Sequence, residues 1–185
     1  MARVLLGLRT QPSLRVGHAG IRRRILPWLL MFGFALPGGA AEPIDVPAPG
    51  AKDTCPVCGM FVAKYPHWIA TVRYRDGQTH HFDGAKDLFK YLHDLPRWAP
   101  GHRREDIDTI AVTEYYGLTR ISAQTAWYVI GSDVLGPMGH ELVPLASTAE
   151  ADEFLRDHQG RRILRFDAVT PALLQALDAG RFDSK

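Results

Sequence analysis

The chain has 185 residues, 46% of them hydrophobic and 23% charged, with a formal net charge of +2. That is enough apolar material for one ordinary domain or two very small ones. The positive balance belongs to the first forty residues, which hold six arginines and no acid; without residues 1–41, sixteen basic and twenty acidic side chains remain, a net −4. A mildly acidic remainder excludes the concentrated basic face that nucleic-acid binding needs.

Residues 1–41 have the order of a secretory signal peptide: a basic region, the apolar run Ile25 to Leu36, then Pro-Gly-Gly-Ala-Ala, with cleavage expected after Ala40 or Ala41. The apolar run falls short of the roughly twenty residues a helix needs to cross a hydrocarbon core, which disfavours a permanent anchor. Arg22, Arg23 and Arg24 ahead of Ile25-Leu26 also resemble a twin-arginine export signal, so both export routes stay open. No Cys follows a Leu-(Ala/Ser)-(Gly/Ala) tripeptide near the cleavage site, so no lipid-attachment signal is read.

Residues 42–53 carry three prolines and little to bury, and read as an extended tether. Folding is expected to begin near Thr54 with a cysteine turn. A strand through Trp68 to Tyr74, a turn at Asp76-Gly77 and a strand over Thr79 to Phe82 then make a hairpin. Ala85, Leu88, Phe89 and Leu92 recur at helical spacing, with Asp83 as the expected N-cap. Pro96 to Asp106, rich in proline, glycine and charge, reads as a linker between a first unit at 54–96 and a second at 107–180. The second unit should contain a strand over Ile110 to Tyr116, a turn at Gly117 and a strand over Thr125 to Ile130. After these come a loop at Gly136 to Glu141, a strand over Leu142 to Leu145, a helix capped by Ser147, a strand from Arg162 and a last helix from Pro171 to Ala179. The expected fold class is α+β, with two small ββα units, an internal repeat. Trp68, Tyr74, Phe82, Phe89, Trp127 and Phe154 are the expected core aromatics.

Chemistry concentrates in Thr54-Cys-Pro-Val-Cys-Gly-Met60, where both cysteines of the chain and a thioether share one turn. Two cysteines three positions apart suit one metal ion or a local redox disulfide, and cannot staple distant parts of a fold. Soft thiolate and thioether sulfurs select copper(I) over harder divalent ions. A redox Cys-x-x-Cys usually opens a helix, whereas Gly59 directly after the motif argues for a turn. Structural zinc would want a second cysteine pair or a Cys/His pair, and there is none at fixed spacing. Met138 and His140 sit in a glycine-rich loop without apolar periodicity, which makes them further candidate ligands beside a buried-filler reading. Of the adjacent His80 and His81 at the end of a strand, only one can face the cysteine turn; His81 joins the candidate set beside a solvated or capping reading. No Ser-His-Asp order, phosphate loop or paired catalytic carboxylates stand in convincing context, so no enzyme is expected.

Together, Cys55-Pro-Val-Cys-Gly-Met60, the His-Phe-Asp stretch leading into Lys-Asp-Leu-Phe-Lys-Tyr-Leu, and the later Gly-Pro-Met-Gly-His-Glu-Leu-Val-Pro segment resemble the NosL family over about Thr54 to Phe166. The resemblance implies two ββαβ units and a periplasmic copper(I) carrier that serves maturation of nitrous oxide reductase beside an ABC-type membrane complex. Its functional positions fall on Cys58 and Met60 most closely, then on Cys55 and the Pro-Met-Gly segment. Many NosL-like proteins are lipoproteins, and this chain departs from them; an uncleaved leader would substitute as a tether. Copper stoichiometry, including an ion shared by a homodimer, stays open at this stage. So do two rivals: a periplasmic thiol-disulfide oxidoreductase with Cys55 attacking and Cys58 resolving, and an organometal-cleaving enzyme, for which the sequence places no proton donor.

Overall fold

The computed structural model describes residues 41–182, and the expected signal segment lies outside them apart from Ala41. Of the three hydrogen-bonded sheets among the described residues, the two larger ones follow the same strand plan. Strand β1 (Ala70–Tyr74) turns through Gly77 into β2 (Thr79–Phe82), helix α1 (Ala85–His93) follows, and after the short helix α2 (Leu95–Trp98) strand β3 (Ile107–Thr113) returns to the free side of β1. Strand β4 (Arg120–Ser122) extends this sheet, giving the order β2-β1-β3-β4. The second sheet starts with β5 (Trp127–Ile130). The two-residue strands β6 (Leu135–Gly136) and β7 (Gly139–His140) form a small hairpin, and β8 (Val143–Leu145) then pairs with β5. Helix α3 (Thr148–Asp157) leads to β9 (Arg162–Arg165) on the other side of β5, for the order β8-β5-β9, and α4 (Pro171–Asp178) follows. Each of these two sheets therefore contains a ββαβ unit whose first strand is central, and the architecture is α+β.

The Pro96–Asp106 segment does not part the sheets. Strand β3, which chain order puts after that segment, pairs antiparallel with β1 through Ala70 and Val112. The buried stretch Ile110, Ala111, Val112 needs a neighbour on each side, and β1 and β4 supply them. The proline-rich start is also engaged: Ala41 N–H donates to Ala146 O at 2.9 Å, Pro43 bridges Ile121, and Ile44 N–H donates to Arg120 O at 2.7 Å. The contacts at Pro43 and Ile44 satisfy edge groups of β4 that would otherwise need water, and the Ala41 bond does the same just past β8.

Strand β5 is apolar on both faces for a reason the packing supplies. Tyr128 and Ile130 enter the main core with Phe82, Leu88, Phe89, Tyr91 and the α4 leucines, while Val129 enters a smaller core with Val143, Leu145, Ala151 and Phe154 under α3. Of the expected core aromatics Tyr74, Phe82, Phe89 and Phe154 are buried. Trp68 and Trp127 are half-buried and pack at the rim of the smaller core, with the Arg165 guanidinium 4.2 Å over the Trp127 ring. Ser147 caps α3 as expected, its hydroxyl accepting from Glu150 N–H at 3.2 Å. Among the described residues no helix is long and apolar enough to cross a membrane.

Candidate metal centre

The cysteine turn is closed by the backbone. Cys55 N–H donates to Met60 O at 2.9 Å, Gly59 N–H donates to Cys55 O at 2.8 Å, and Thr54 and Phe61 form a bridge across its mouth. Gly59 takes φ +77°, a left-handed conformation that lets the chain reverse within the motif. No helix starts within the motif, so neither thiol heads a helix of its own segment. Individual amides serve instead: those of Cys58 and Val57 are directed at the Cys55 sulfur, and that of Met60 at the Cys58 sulfur.

Two carboxylates complete the site. Asp83 does not cap α1; that position is Gly84, and the Asp83 carboxylate turns instead to the cysteines, its Oδ1 accepting from the Cys58 thiol at 3.1 Å. The physical reason is that the helix is capped from outside. Glu141 reaches across from the second sheet, and its Oε1 accepts Lys86 N–H at 2.5 Å and Leu142 N–H at 2.9 Å. Gly84 allows this approach, because a Cβ there would collide with the Glu141 carboxylate. Asp87, one turn on from Asp83, accepts from the Cys55 thiol at 3.5 Å. One donor atom from each of Cys55, Cys58, Asp83 and Asp87 lies within 4.8 Å of all the others. Cys55, Asp83 and Asp87 are buried; Cys58 is half-buried and Gly59 exposed, so the cluster is reached from the Cys58 side.

Burial dominates the electrostatics. It pushes the Cys55 thiol up to about 12, against the Cys58 amide that favours the thiolate and with the Asp87 carboxylate that opposes it. It also raises Cys58, against the Met60 amide and with the Asp83 carboxylate. Both sulfurs are therefore protonated at neutral pH without an ion. Lys90 Nζ lies 3.4 Å from Asp87 and 2.9 Å from Asp178, so one ammonium group sits against a carboxylate of the site; buried Lys86 turns to Asp178 at 3.0 Å instead.

The sequence-derived candidates separate. Cys55 and Cys58 converge; Met60 is half-buried in the same turn. Met138 occupies the tip of the β6–β7 hairpin with its side chain exposed, and its carbonyl accepts from Lys86 Nζ at 3.0 Å. His140 packs edge-on to Phe182 at 4.8 Å with its Nδ1 buried and unpartnered. His81 is buried, with its Nδ1 3.0 Å from Thr71 Oγ1. Neither histidine belongs to the four-donor cluster. Asp83 and Asp87 were missed as site residues, although two acids at i and i+4 directly after the strand were a usable signal.

Two ββαβ units with a buried dithiol–dicarboxylate group able to hold one metal ion define an α+β protein with a metal-centre geometry. The sequence model of the NosL family matches residues 46–174, and the chain belongs to that family. It is 29% identical over 163 residues to the copper-binding lipoprotein NosL of Stutzerimonas stutzeri, covering 82% of this chain and 81% of that protein. In fold it is similar to the crystal structure of the copper chaperone NosL from Shewanella denitrificans, with a TM-score of 0.58 at 23% identity, over 71% of this chain and 99% of that one.

Proposed function

We propose that this chain is exported by its leader and carries copper(I) in the periplasm, delivering it for maturation of nitrous oxide reductase beside an ABC-type membrane complex. Cys55 and Cys58 hold the ion with Met60 as the third sulfur, and no catalysis is assigned. The observation that carries the reading is the convergence of both cysteines on one tight turn whose Cys58 edge is open to solvent. Soft sulfurs at low coordination number suit copper(I), and an open edge lets an acceptor's donor atom enter before the carrier's leave. Family membership and a relative described as copper-binding support the same choice.

The thiol-disulfide oxidoreductase reading is weakened by the same geometry. An attacking cysteine needs a depressed pKa, and burial raises both thiols. Transfer tests the proposal: copper(I)-loaded protein mixed with apo-nitrous oxide reductase should lose its copper to the enzyme, while Met60→Leu should retain less copper at the start and still exchange disulfides as wild type does. Dithiol turnover in metal-free protein, with no copper transferred, would contradict it.

A further inference from the structure

We propose that the groove between the β3–β4 turn and β6 docks a partner protein through an extended segment whose apolar side chains are flanked by Lys or Arg. This rests on the copper-delivery reading only in supposing that the chain meets a partner.

The groove has a volume of about 480 Å3 and is walled by Trp68, Tyr115, Tyr116, Leu118, Val134 and Leu135, among others. That is the size range of sites that bury a ligand. Among the described residues five large apolar side chains are exposed, and three of them gather here: Tyr116 at 44%, Leu118 at 44% and Leu135 at 57%. Apolar exposure scattered singly is ordinary on any surface, whereas a contiguous patch marks a contact site.

The turn that presents Tyr116 and Leu118 is fixed from beneath. The buried Glu114 carboxylate accepts from Tyr116 N–H at 2.9 Å, from Thr119 N–H at 3.1 Å and from the Thr119 hydroxyl at 3.2 Å. Gly117 lies against the same carboxylate, where a Cβ would collide. Leu118 takes φ +56°, a left-handed conformation that suits glycine or asparagine and penalises leucine. Its side chain belongs to neither core, so the strain is not explained by packing within the chain. A contact made outside the chain explains it, and a turn held rigid in advance loses little freedom on binding.

Charge selects the occupant. Tyr116 and Tyr115 pack on Phe154 of α3, with ring centroids 6.4 and 4.8 Å away. Glu153 and Asp157, one residue before and three after Phe154, fall on one side of it at helical spacing, while Arg156 falls on the far side. Both acids are exposed, and the Tyr116 phenol is raised above its ordinary range by burial first and then by their charges. An apolar groove with an acidic rim fits a segment that brings Lys or Arg beside its apolar residues. A second copy of this chain fits poorly, because residues 42–185 carry a net −4. The place suits a delivery partner. Ala70 pairs with both Phe82 and Val112, so Trp68 and Thr113 of the groove lie at the same end of the first sheet as Asp83 of the metal centre.

The test is an NMR titration of the reduced, metal-free, 15N-labelled protein with a synthetic peptide in which leucines are flanked by lysines, and with its counterpart carrying glutamates for the lysines. The lysine peptide should shift the amide signals of Tyr116, Leu118 and Leu135, with an affinity that falls as salt rises. Leu118→Asn, which suits the left-handed turn and so keeps the fold, should weaken it about fivefold or more. The double variant Glu153→Lys with Asp157→Lys, both surface sites, should weaken it by a similar factor of about five. Absence of shifts at these amides with millimolar peptide, or equal binding of the two peptides, would overturn the proposal. So would light scattering that shows a dimer lost in Leu118→Asn, since a second copy would then fill the groove. Peptide docking by a protein that fails to hold copper(I) would refute the copper reading and leave this one intact.

Discussion

Glu141→Gln keeps the oxygen that accepts the Lys86 and Leu142 N–H groups and removes only the ability to ionise. Burial pushes the Glu141 carboxyl from its ordinary 4.5 up to about 8, against the two N–H groups and the Lys86 ammonium that favour the anion. The folded chain thus keeps this proton in a range where the unfolded chain has lost it, so stability from this group is complete below pH 4.5 and falls as pH rises to 8. At about 1.36 kcal/mol per pH unit the loss across that window is on the order of 3–5 kcal/mol. Urea unfolding followed by tryptophan fluorescence at pH 5, 7 and 9 reads it directly. The variant should match wild type within about 1 kcal/mol at pH 5 and exceed it by a few kcal/mol at pH 9. A wild type as stable as the variant at pH 9, or a variant weaker by the same amount at every pH, would refute the assignment of a neutral, helix-capping acid.

Other consequences follow from the turn and the core. Gly59→Ala meets no atom within 4 Å, so its cost is conformational; about 1–2 kcal/mol of unfolding free energy should be lost, and Gly59→Asn should lose less. Because burial holds both thiols protonated at neutral pH, copper(I) bound by both must expel two protons, and apparent affinity should rise up to about 100-fold per pH unit between pH 6 and 8. A pH-independent affinity would remove the dithiolate from the account. Tyr91→Phe strands the buried Tyr74 hydroxyl, now 2.6 Å from Tyr91; it should cost about 1–3 kcal/mol in urea unfolding and leave copper titration unchanged.

Local patterns were legible and long-range pairing was not. The strand Thr79–Phe82 and the helix Ala85–His93 fall where alternation and 3.6-residue spacing put them, and Ser147 and Pro171 mark their helices correctly. Strand β4 is three residues long and carries no period to detect. The partner of β3 is a strand far back in the chain, Thr71 opposite Ala111 among other pairs, and nothing local to β3 encodes that. At the site, the cysteine motif announced itself by composition. An acid directly before a helix points to a cap, because it usually is one; Asp83 is released from that role by Glu141, an acid from the other unit that fills it. Asp87 was hidden for a simpler reason, since an acid in the first turn of a helix is unremarkable until the thiol beside it is known.

The central claim is that one chain holds copper(I) through the cysteine turn. Its most direct test is an anaerobic competition titration of the reduced protein with copper(I) against a chromophoric chelator, beside Cys58→Ser and Met60→Leu. Tight binding near one ion per chain, or one per pair of chains, weakened in both variants, is the result the account predicts. A wild type that fails to compete while its cysteines cycle readily with a dithiol reductant would contradict it and give the site to thiol-disulfide exchange.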